Sequence, residues 1–379
     1  MSHVVVIGCG VVGAAIAYEL SRVPRLKVTV IDRQHPGQGA TSAALGVMMG
    51  AMSKKVKGRA WQLRQKSIER YETLIPELES LTKTKIPFNR QGILKLCFAG
   101  EKMSKWEELA ELRESQGLPL KILNPSQVRV QYPHLGNLDN LIAAIYSASD
   151  RQVNPLSLTQ ALVGAAQRHE VKFQFDVTVE GFETSTAKNS EKSATKVKTT
   201  RGDLSADWVV IAAGLGSTPL TAELEEPVNI RPVLGQALQL RLDRPLGNPD
   251  WQPAIAADDV RIVPWKNPVA TRLTDYCVGA TLEFPNESPV VADETLLDDL
   301  LARAVAFCPD LAKATVVRKW SGSRPRPDDR SAPVLGPLPG YNNVLLATGH
   351  YRNGVLLAPA TAIAVRDAIA GQQPGVNGG

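Results

Sequence analysis

Residues 3–13 read His3-Val-Val-Val-Ile-Gly-Cys-Gly-Val-Val-Gly13, an apolar strand followed by a G-x-G-x-x-G turn and the start of a helix. In such a unit Gly8 permits the tight turn, Gly10 lets the backbone approach a pyrophosphate, and Gly13 packs helix on strand. The helix N-terminus directs its partial positive charge at the phosphates. Asp32 follows 19 residues after Gly13, where its carboxylate can accept hydrogen bonds from a ribose diol. The stretch predicts a dinucleotide site, and an ordinary structural turn is the alternative.

A second strand–glycine–helix unit lies near the C-terminus, at Asn343-Val-Leu-Leu-Ala-Thr-Gly-His-Tyr-Arg-Asn-Gly-Val-Leu-Leu-Ala-Pro-Ala-Thr-Ala362. It predicts a buried strand over 344–347, a turn at Gly349, a charged elbow at Arg352 and a helix that opens after Gly354. One such unit at each end of the chain indicates a single nucleotide site assembled from the two termini.

The composition indicates a soluble globular protein. The 379 residues are 44% hydrophobic and 21% charged, and a net charge of +5 without a long basic block disfavours nucleic acid as a partner. The four cysteines form no C-x-x-C pair, so neither disulfides nor a metal site is expected and a cytoplasmic location fits best. The chain enters a strand directly, and the early uncharged run over 40–53 is too short for a transmembrane segment. A homo-oligomer is left open.

The order of the elements predicts a mixed α/β fold with a Rossmann-like domain and a second, antiparallel-sheet domain. The patterns favour helices over about 58–82, 101–116, 155–169 and 293–306, strands over about 171–176 and 208–214, a hairpin with a polar tip over 183–203, and antiparallel strands over about 227–285. The nucleotide domain is predicted to be discontinuous, at 1–50, 150–220 and 325–379. The substrate domain is predicted at 51–149 and 221–324, with the substrate held between the two.

These motifs resemble those of the D-amino-acid oxidase (DAO) family of FAD-dependent oxidoreductases. The resemblance runs over nearly the whole chain and is carried by Asp32-Arg33, Gly37, Gly39, Ala40-Thr41-Ser42 and Gly46, by Val209-Val-Ile-Ala-Ala-Gly214, and by the C-terminal unit, which is most like that of glycine oxidases. It implies FAD held without a covalent bond and contacted by Gly8, Gly10, Gly13, Asp32, Arg33, Thr41, Ser42, Gly46, Val177, Ala213, Gly214, Gly349, His350, Tyr351, Arg352, Asn353, Gly354 and Val355.

The chemistry of a flavin agrees with the C-terminal loop. Reduced flavin carries negative charge near N1 and O2, and a loop over 348–354 that opens a helix would direct backbone N–H groups at that charge. The glycine turn alone would suit a nicotinamide equally well. For the Ala-Thr-Gly sequence, the alternative interpretation is the ordinary end of a buried strand. We interpret His350 as a hydrogen-bonding spacer, not a base or a covalent link, and Cys9 as a small packed residue.

Arginines are the candidate substrate residues. Flavin oxidation of an amino acid needs an anchored carboxylate more than acid–base chemistry, and a guanidinium grips a carboxylate with two parallel bonds. Arg324, in Trp320-Ser-Gly-Ser-Arg-Pro-Arg-Pro-Asp328, resembles the family's carboxylate-binding arginine, and Arg352 matches a second substrate-side arginine. A solvated surface charge is the alternative for each of them, and it is the preferred interpretation for Arg326 and Arg330.

Arg261 departs from the family pattern. Glycine oxidases that resemble this chain usually have a tyrosine there, and Leu282 stands where a methionine is common. A cation in place of a neutral donor puts glycine in doubt as the substrate and favours a larger or more acidic one. Alternatively, Arg261 faces outward or pairs with Asp258 or Asp259.

The resemblance implies FAD-dependent oxidative deamination of a small amino acid or amine. A hydride would pass from Cα to flavin N5, the imine would hydrolyse to a 2-oxo acid and ammonia, and O2 would be reduced to H2O2. One alternative is a D-amino-acid or secondary-amine dehydrogenase that passes electrons to a quinone or carrier. The others are a flavin-binding assembly subunit without turnover and an NAD-dependent dehydrogenase.

Overall fold

The chain has a mixed α/β fold, as predicted, and the computed structural model describes residues 1–187, 190–265, 274–284 and 292–371. The strands in chain order are β1 (Ser2–Ile7), β2 (Leu26–Ile31), β3 (Val47–Met48), β4 (Phe88–Asn89), β5 (Ile93–Phe98), β6 (Leu120–Leu123), β7 (Leu141–Ser147), β8 (Arg151–Val153), β9 (Lys172–Gln174), β10 (Val179–Thr186), β11 (Lys192–Thr199), β12 (Leu204–Ser205), β13 (Trp208–Ile211), β14 (Ile230–Arg241), β15 (Ala254–Ala257), β16 (Val260–Pro264), β17 (Asp275–Gly279), β18 (Thr315–Pro327), β19 (Val334–Pro337) and β20 (Val344–Thr348). The helices are α1 (Val11–Ser21), α2 (Ala40–Ala43), α3 (Gly58–Thr82), α4 (Ser104–Ser115), α5 (Pro125–Gln131), α6 (Pro155–Arg168), α7 (Ser217–Ala222), α8 (Thr295–Phe307) and α9 (Gly354–Ala370).

A six-stranded sheet is built from both ends of the chain, in the order β19-β20-β13-β1-β2-β9. Every neighbouring pair is parallel except β19 and β20. The β1–α1–β2 unit confirms the predicted N-terminal β-α-β pattern, and β20 with α9 confirms the C-terminal strand and helix. Because these strands are parallel, their carboxyl ends meet at one edge, which is where open α/β sheets bind ligands.

The inner strand β1 is apolar from Val4 to Ile7 because both of its faces are covered there. Val4 and Val6 are fully buried in one core with residues of α1, α6 and α9. Val5 and Ile7 point the other way, into a core that includes Ala194 of β11. Successive side chains of a strand alternate between faces, so an unbroken apolar run is what a strand buried on both sides requires.

An eight-stranded, largely antiparallel sheet forms the second main layer, in the order β18-β14-β17-β16-β15-β5-β7-β6. Its strand β5 also alternates: Leu94 and Leu96 are buried in a core that α8 covers, whereas Ile93 and Cys97 pack in a separate cluster with Trp106 of α4. The sheet and its helices confirm the predicted antiparallel region and the predicted helices near 58–82, 101–116, 155–169 and 293–306.

The long strands β14 and β18 connect the two layers. They pair antiparallel along nearly their whole length, with Val233 opposite Arg324. Ile230, at the start of β14, is buried in a core of the six-stranded sheet, whereas Leu238 and Leu240 are buried in the core of the eight-stranded sheet. The pair therefore brings Arg324 to the junction of the two sheets.

Helix α9 is apolar because the fold buries it. Within the described residues, Tyr351–Ala370 is the one helical stretch long and apolar enough to cross a membrane, with a mean hydropathy of 1.2. It packs against α1 and α3, and its residues Ala358, Ala360 and Ala362 are almost fully buried. Packing inside the protein thus accounts for its composition.

The predicted domain boundaries remain a prediction. The six-stranded sheet draws its strands from 2–31, 172–211 and 334–348, and the eight-stranded sheet from 93–147 and 230–327. Parts of three predicted features lie outside the described residues: the hairpin tip at 188–189, the antiparallel region at 266–273 and 285, and the C-terminal end of the nucleotide domain at 372–379.

Candidate active site

A cavity of about 1090 Å³ lies between the two main sheets. Its wall includes Ile7, Ile31 and Ala347, near the carboxyl ends of three parallel strands, and Ala237 and Arg261 of the eight-stranded sheet. Most small-ligand pockets measure roughly 300–1,000 Å³. The volume is therefore large enough for an extended cofactor together with a small substrate.

The glycine turn lines this cavity with backbone. Gly8 has a φ of +105°, and a Cβ added there would lie 2.6 Å from the carbonyl oxygen of Ala212. A Cβ on Gly13 would lie 1.9 Å from the carbonyl oxygen of Gly8, so Gly13 is required for packing inside the turn. Gly10 differs, because its Cβ would meet the hydroxyl of Thr41 at 3.2 Å and no other heavy atom within 4 Å among the described residues. A side chain at Gly10 would occupy the cavity instead, which fits a turn kept open for phosphate.

Asp32 holds the turn from the end of β2. Its carboxylate accepts hydrogen bonds from the N–H of Cys9 at 2.6 Å and of Gln34 at 2.9 Å. Two carboxylate oxygens offer about four acceptor positions, so ribose hydroxyls can still donate to Asp32. Burial raises the pKa of the Cys9 thiol, which agrees with a packed, uncharged residue. The first N–H of α1, from Val11, donates to the Thr41 hydroxyl at 3.1 Å.

The C-terminal loop forms another part of the wall. Gly349 has a φ of +62°, and a Cβ there would lie 2.7 Å from Pro327, so this turn requires glycine. The side chain of His350 is buried, with Nε2 3.0 Å from the hydroxyl of Thr361, and burial lowers its pKa to about 4. The imidazole is therefore neutral near pH 7 and bonded within the fold, which fits a spacer. A 3-10 turn over Tyr351–Asn353 leads into α9.

Arg324 is held at the cavity wall by backbone carbonyls. Its Nη1 donates to the oxygen of Leu234 at 2.9 Å and its Nη2 to the oxygen of Thr281 at 3.1 Å. The guanidinium lies over Gly235, where a Cβ would be 2.1 Å from Nη2. Sequence reasoning missed Gly235, although a glycine in the interior of a strand commonly marks such a close approach.

Arg261 and Arg352 line the same cavity. Arg261 neither faces away nor pairs with a carboxylate at salt-bridge distance among the described residues; its Nη1 donates to the backbone oxygens of Asp258 at 2.8 Å and Val260 at 3.0 Å. Arg352 is 43% exposed, and its Nη2 lies 3.6 Å from Oδ1 of Asp259. Three guanidiniums from three different elements thus share one cavity wall.

The positive charges at this wall affect one another. Burial lowers the pKa of Arg324, and the charge of Arg352 lowers it further. The same two causes, in the same order, lower the pKa of Arg261. Guanidiniums remain charged at any physiological pH despite such shifts, so the wall offers a concentrated positive field to an anionic ligand.

Two buried charged side chains that sequence reasoning missed shape the segment 50–55. Asp150 is almost fully buried and accepts hydrogen bonds from the N–H groups of Gly50, Ala51 and Met52. Arg113 is fully buried and donates to the carbonyl oxygens of Ala51, Ser53 and Lys55. Met52, Ser53 and Lys54 line the cavity, so this pair positions part of its wall. No local motif marks it, because the partners are 58 to 100 residues apart.

Most of the predicted site residues meet at this cavity. Two do not line it: Gly13 packs beneath Gly8, and the hydroxyl of Ser42 donates to the backbone oxygens of Gln38 and Gly39. The others that line it are Gly8, Gly10, Asp32, Arg33, Thr41, Gly46, Val177, Ala213, Gly214, Arg261, Arg324, Gly349, His350, Tyr351, Arg352, Asn353, Gly354 and Val355. The site fits the FAD that the resemblance implies, because it combines a phosphate turn without side chains, an acidic group beside that turn and a loop that opens a helix.

Among the described residues, no group of His, Cys, Asp and Glu is arranged to hold a metal ion.

Comparisons with known proteins agree over nearly the full length. A family model described as FAD dependent oxidoreductase (DAO) matches residues 3–368. The glycine oxidase of Geobacillus kaustophilus is 30% identical, over 97% of this chain and 94% of that protein. The glycine oxidase of Bacillus subtilis is 29% identical, over 96% of this chain and 92% of that protein. A crystal structure of the G. kaustophilus glycine oxidase superposes with a TM-score of 0.84 at 28% identity, covering 99% of this chain and 96% of that one.

Proposed function

The chain belongs to the DAO family of FAD-dependent oxidoreductases, and on that premise we propose how its residues carry out the reaction. The reaction is the FAD-dependent oxidative deamination of a small amino acid. One observation carries the proposal: Arg324 and Arg352 line the same cavity as the glycine turn and the C-terminal loop. A carboxylate anchor and a cofactor cradle in one cavity are what this reaction requires.

FAD, when bound, supplies the acceptor for the hydride that leaves the substrate Cα. We assign its pyrophosphate to the turn at Gly8 and Gly10, because that turn lines the cavity with backbone and leads directly into the N-terminus of α1. Asp32 would accept hydrogen bonds from the ribose. The loop from Gly349 to Gly354 would lie against the flavin ring and direct the N-terminus of α9 at it.

Arg324 is the proposed anchor for the substrate carboxylate. Its two bonds to backbone oxygens hold the guanidinium in one orientation before substrate arrives, so less conformational entropy is lost on binding. Arg352 is more exposed and tied loosely to Asp259, so it suits a second contact that closes over the substrate. Anchoring of this kind orients the Cα–H bond and supplies much of the rate.

The same arginines help to provide the neutral amine from which a hydride can leave. A positive charge near an ammonium group lowers its pKa, because like charges disfavour the charged form. Three guanidiniums around the substrate therefore promote loss of the ammonium proton to water without a dedicated base. His350 is not needed for this step, since its buried imidazole is bonded to Thr361.

The proposed overall reaction consumes one amino acid, one O2 and one water, and yields one 2-oxo acid, one ammonia and one H2O2. Oxidases among the relatives favour O2 over a quinone as the electron acceptor. We further propose a cytoplasmic location, because Cys9, Cys97, Cys277 and Cys308 are all buried free thiols.

The test is the stoichiometry of turnover in air. We expect glycine or another small amino acid with a primary amine to give O2 uptake, H2O2 and ammonia in equal amounts, and sarcosine to give methylamine in place of ammonia. Substrate-dependent reduction of a dye without O2 uptake would indicate a dehydrogenase. Absence of both with every amino acid tried would contradict the proposed function.

A further inference from the structure

We infer that the substrate carries a second acidic group, which Arg261 receives. The inference rests on the proposed function, since it concerns the same cavity, and it narrows the substrate to acidic amino acids. Arg324 accounts for one carboxylate. The contacts and charges around Arg261 indicate a second one.

Arg261 is built into the wall as firmly as Arg324. It belongs to β16 and lies opposite Gly279 of β17 in the sheet register. Its Nη1 uses both hydrogens on backbone oxygens, those of Asp258 and Val260. Two backbone hydrogen bonds hold the guanidinium at the cavity wall in one orientation. A surface arginine without such bonds would populate many rotamers.

The other edge of this guanidinium is the one that remains for a ligand. The bonds described for Arg261 all involve Nη1, so within the described part of the chain Nε and Nη2 have no assigned acceptor. These two atoms form one side of the planar fork and can bind both oxygens of a carboxylate at once. Arg261 therefore has the donor pattern of a carboxylate site.

The charge balance of the wall favours another anion. Arg261, Arg324 and Arg352 are accompanied on the cavity wall by one nearby carboxylate, Asp259, which lies beside Arg352. The charges of Asp259 and Asp258 both lower the positive potential at Arg261, but Asp258 does not line the cavity. Glu283 lowers the positive potential at Arg324, but it does not line the cavity and its carboxylate binds the side chains of Gln236 and Thr281. On the cavity wall itself, Asp259 and one substrate carboxylate together would leave one of the three guanidiniums without a counter-charge.

A second acidic group on the substrate supplies that counter-charge. Glycine and sarcosine carry a single carboxylate, so with them the residual repulsion among the arginines persists. An amino acid with an acidic side chain, or an amine bearing two carboxymethyl groups, places negative charge at both Arg324 and Arg261. Charge complementarity of this kind commonly decides which ligand is preferred.

The competing explanation is that Arg261 only stabilises the turn at Asp258–Val260 through its hydrogen bonds to the backbone. Both explanations accept the two backbone bonds, but they differ in what the free edge of the guanidinium does. A purely structural role for Arg261 predicts no preference between a substrate carboxylate and the corresponding uncharged amide. A carboxylate-binding site predicts that the acid is preferred.

The test compares pairs of amino acids that have nearly the same shape but differ in charge. Aspartate and asparagine, and glutamate and glutamine, each as both enantiomers, are assayed for kcat/KM with the FAD-loaded enzyme. We expect at least one acid to exceed its amide by about tenfold or more. In Arg261→Gln this acid-to-amide ratio should fall toward one. In Arg326→Gln, which removes the same charge from an exposed position of β18, the ratio should stay at the wild-type value.

A binding measurement complements the kinetics. Malonate and succinate should perturb the flavin absorbance at lower concentration than acetate and propionate, and Arg261→Gln should remove that difference. Equal kcat/KM for acid and amide in the wild-type enzyme, with ready oxidation of glycine or other neutral amino acids, would overturn the inference and leave the proposed function intact. If no amino acid of either kind reduced the flavin, the proposed function itself would fail.

Discussion

At the scale of single residues, Arg324 has the environment of a preorganised anchor. Its guanidinium is bonded to the backbone oxygens of Leu234 and Thr281 and lies over Gly235. Both bonds are to uncharged acceptors, so the positive charge stays available for a ligand. Binding a carboxylate there forms a charge-assisted pair in a partly desolvated site, where such pairs are strong.

Arg324→Ala should therefore weaken substrate binding far more than it changes the cofactor. Loss of one partner of such a pair costs about 2–5 kcal/mol, which corresponds to at least a ~30-fold rise in apparent KM. The flavin spectrum and FAD content should stay near wild type. Steady-state kinetics and absorbance spectra check this. Arg326→Ala, an exposed arginine on the same strand, is the matched control and should leave KM unchanged. If Arg324→Ala kept wild-type KM for every substrate, the anchor would have to be sought at Arg352 or Arg261.

Two glycines of the N-terminal turn should fail in different ways. A side chain at Gly10 would enter the cavity, whereas a Cβ on Gly13 would lie 1.9 Å from the backbone oxygen of Gly8. Gly10→Leu should purify as a folded protein without FAD and unfold at the temperature of wild-type apoprotein, because ligand stabilisation is lost. Gly13→Ala should be destabilised even when compared with that apoprotein. Flavin content and thermal unfolding check both, and a yellow Gly10→Leu protein would contradict this assignment of the turn.

The sequence predicts residues whose role is local and misses those whose role depends on distant partners. Gly8, Gly10 and Asp32 were predicted because their spacing lies within one β-α-β unit. Asp150 was not, because its carboxylate bonds to N–H groups about 100 residues earlier in the chain. The orientation of Arg261 is not predictable from the sequence for the same reason, since it depends on how β16 sits in its sheet.

At the scale of elements, two buried charged side chains, Asp150 and Arg113, determine where the segment 50–55 lies. The N–H groups of 50–52 donate to Asp150, and carbonyl oxygens of 51–55 accept from Arg113. The guanidinium of Arg113 also stacks on the ring of Trp61, with its Cζ 3.6 Å from the ring centroid. Part of the cavity wall thus depends on two buried charges that never contact a ligand.

Asp150 should give the enzyme a measurable pH dependence of stability. Burial raises its pKa from the ordinary 3.8 to about 6, and the N–H groups of 50–52 only partly offset this. The folded state then binds the proton more tightly than the unfolded state. The contribution of Asp150 to stability should therefore fall as pH rises from about 4 to above 6, by about 3 kcal/mol in total.

Asp150→Asn is the variant that reveals this contribution. The unfolding free energy of wild type minus that of Asp150→Asn should decrease between pH 4 and pH 7, as measured by denaturant titration. Asp139→Asn, at an exposed carboxylate, is the control, and its unfolding free energy should change with pH in parallel with that of wild type. A difference that stayed constant or grew with pH would show that the carboxylate titrates at or below its ordinary pKa.

Helices and strands could be predicted from the sequence where the apolar residues of one buried face recur at a regular spacing. The helix predicted over about 58–82 is α3 (Gly58–Thr82), whose buried residues include Trp61, Tyr71, Leu74 and Leu78 at helical spacing. The pairing of β14 with β18 was not predictable, because some 80 residues separate the two strands. That pairing is also what brings Arg324 to the cavity.

At the scale of the whole molecule, the site is assembled from both termini and the middle of the chain. The termini contribute the glycine turn and the C-terminal loop, and the middle contributes β14, β16 and β18. Because the part of the cavity assigned to the cofactor is largely backbone, the family could be predicted from the spacing of glycines. The substrate could not be predicted from the sequence, because its side of the cavity is built from single arginines on separate elements.

The protein should purify yellow with one FAD per chain, held without a covalent bond. His350 lines the cavity but is bonded to Thr361, and burial raises the pKa of every cysteine thiol. A covalent link would need a reactive nucleophile, and thiols with raised pKa values are inert. Acid precipitation should release the flavin into the supernatant. Colour that stayed with the protein pellet would show a covalent link.

The most direct test of the central claim is the flavin absorbance of the purified protein when amino acids are added without oxygen. The panel comprises glycine, sarcosine, D- and L-amino acids and amino acids with a second carboxylate. At least one should bleach the flavin completely in a single turnover, and admission of O2 should restore the colour with one H2O2 per FAD. A protein that is colourless, or whose bound flavin stays oxidised with every compound of the panel, would contradict the assignment as an amino acid oxidase.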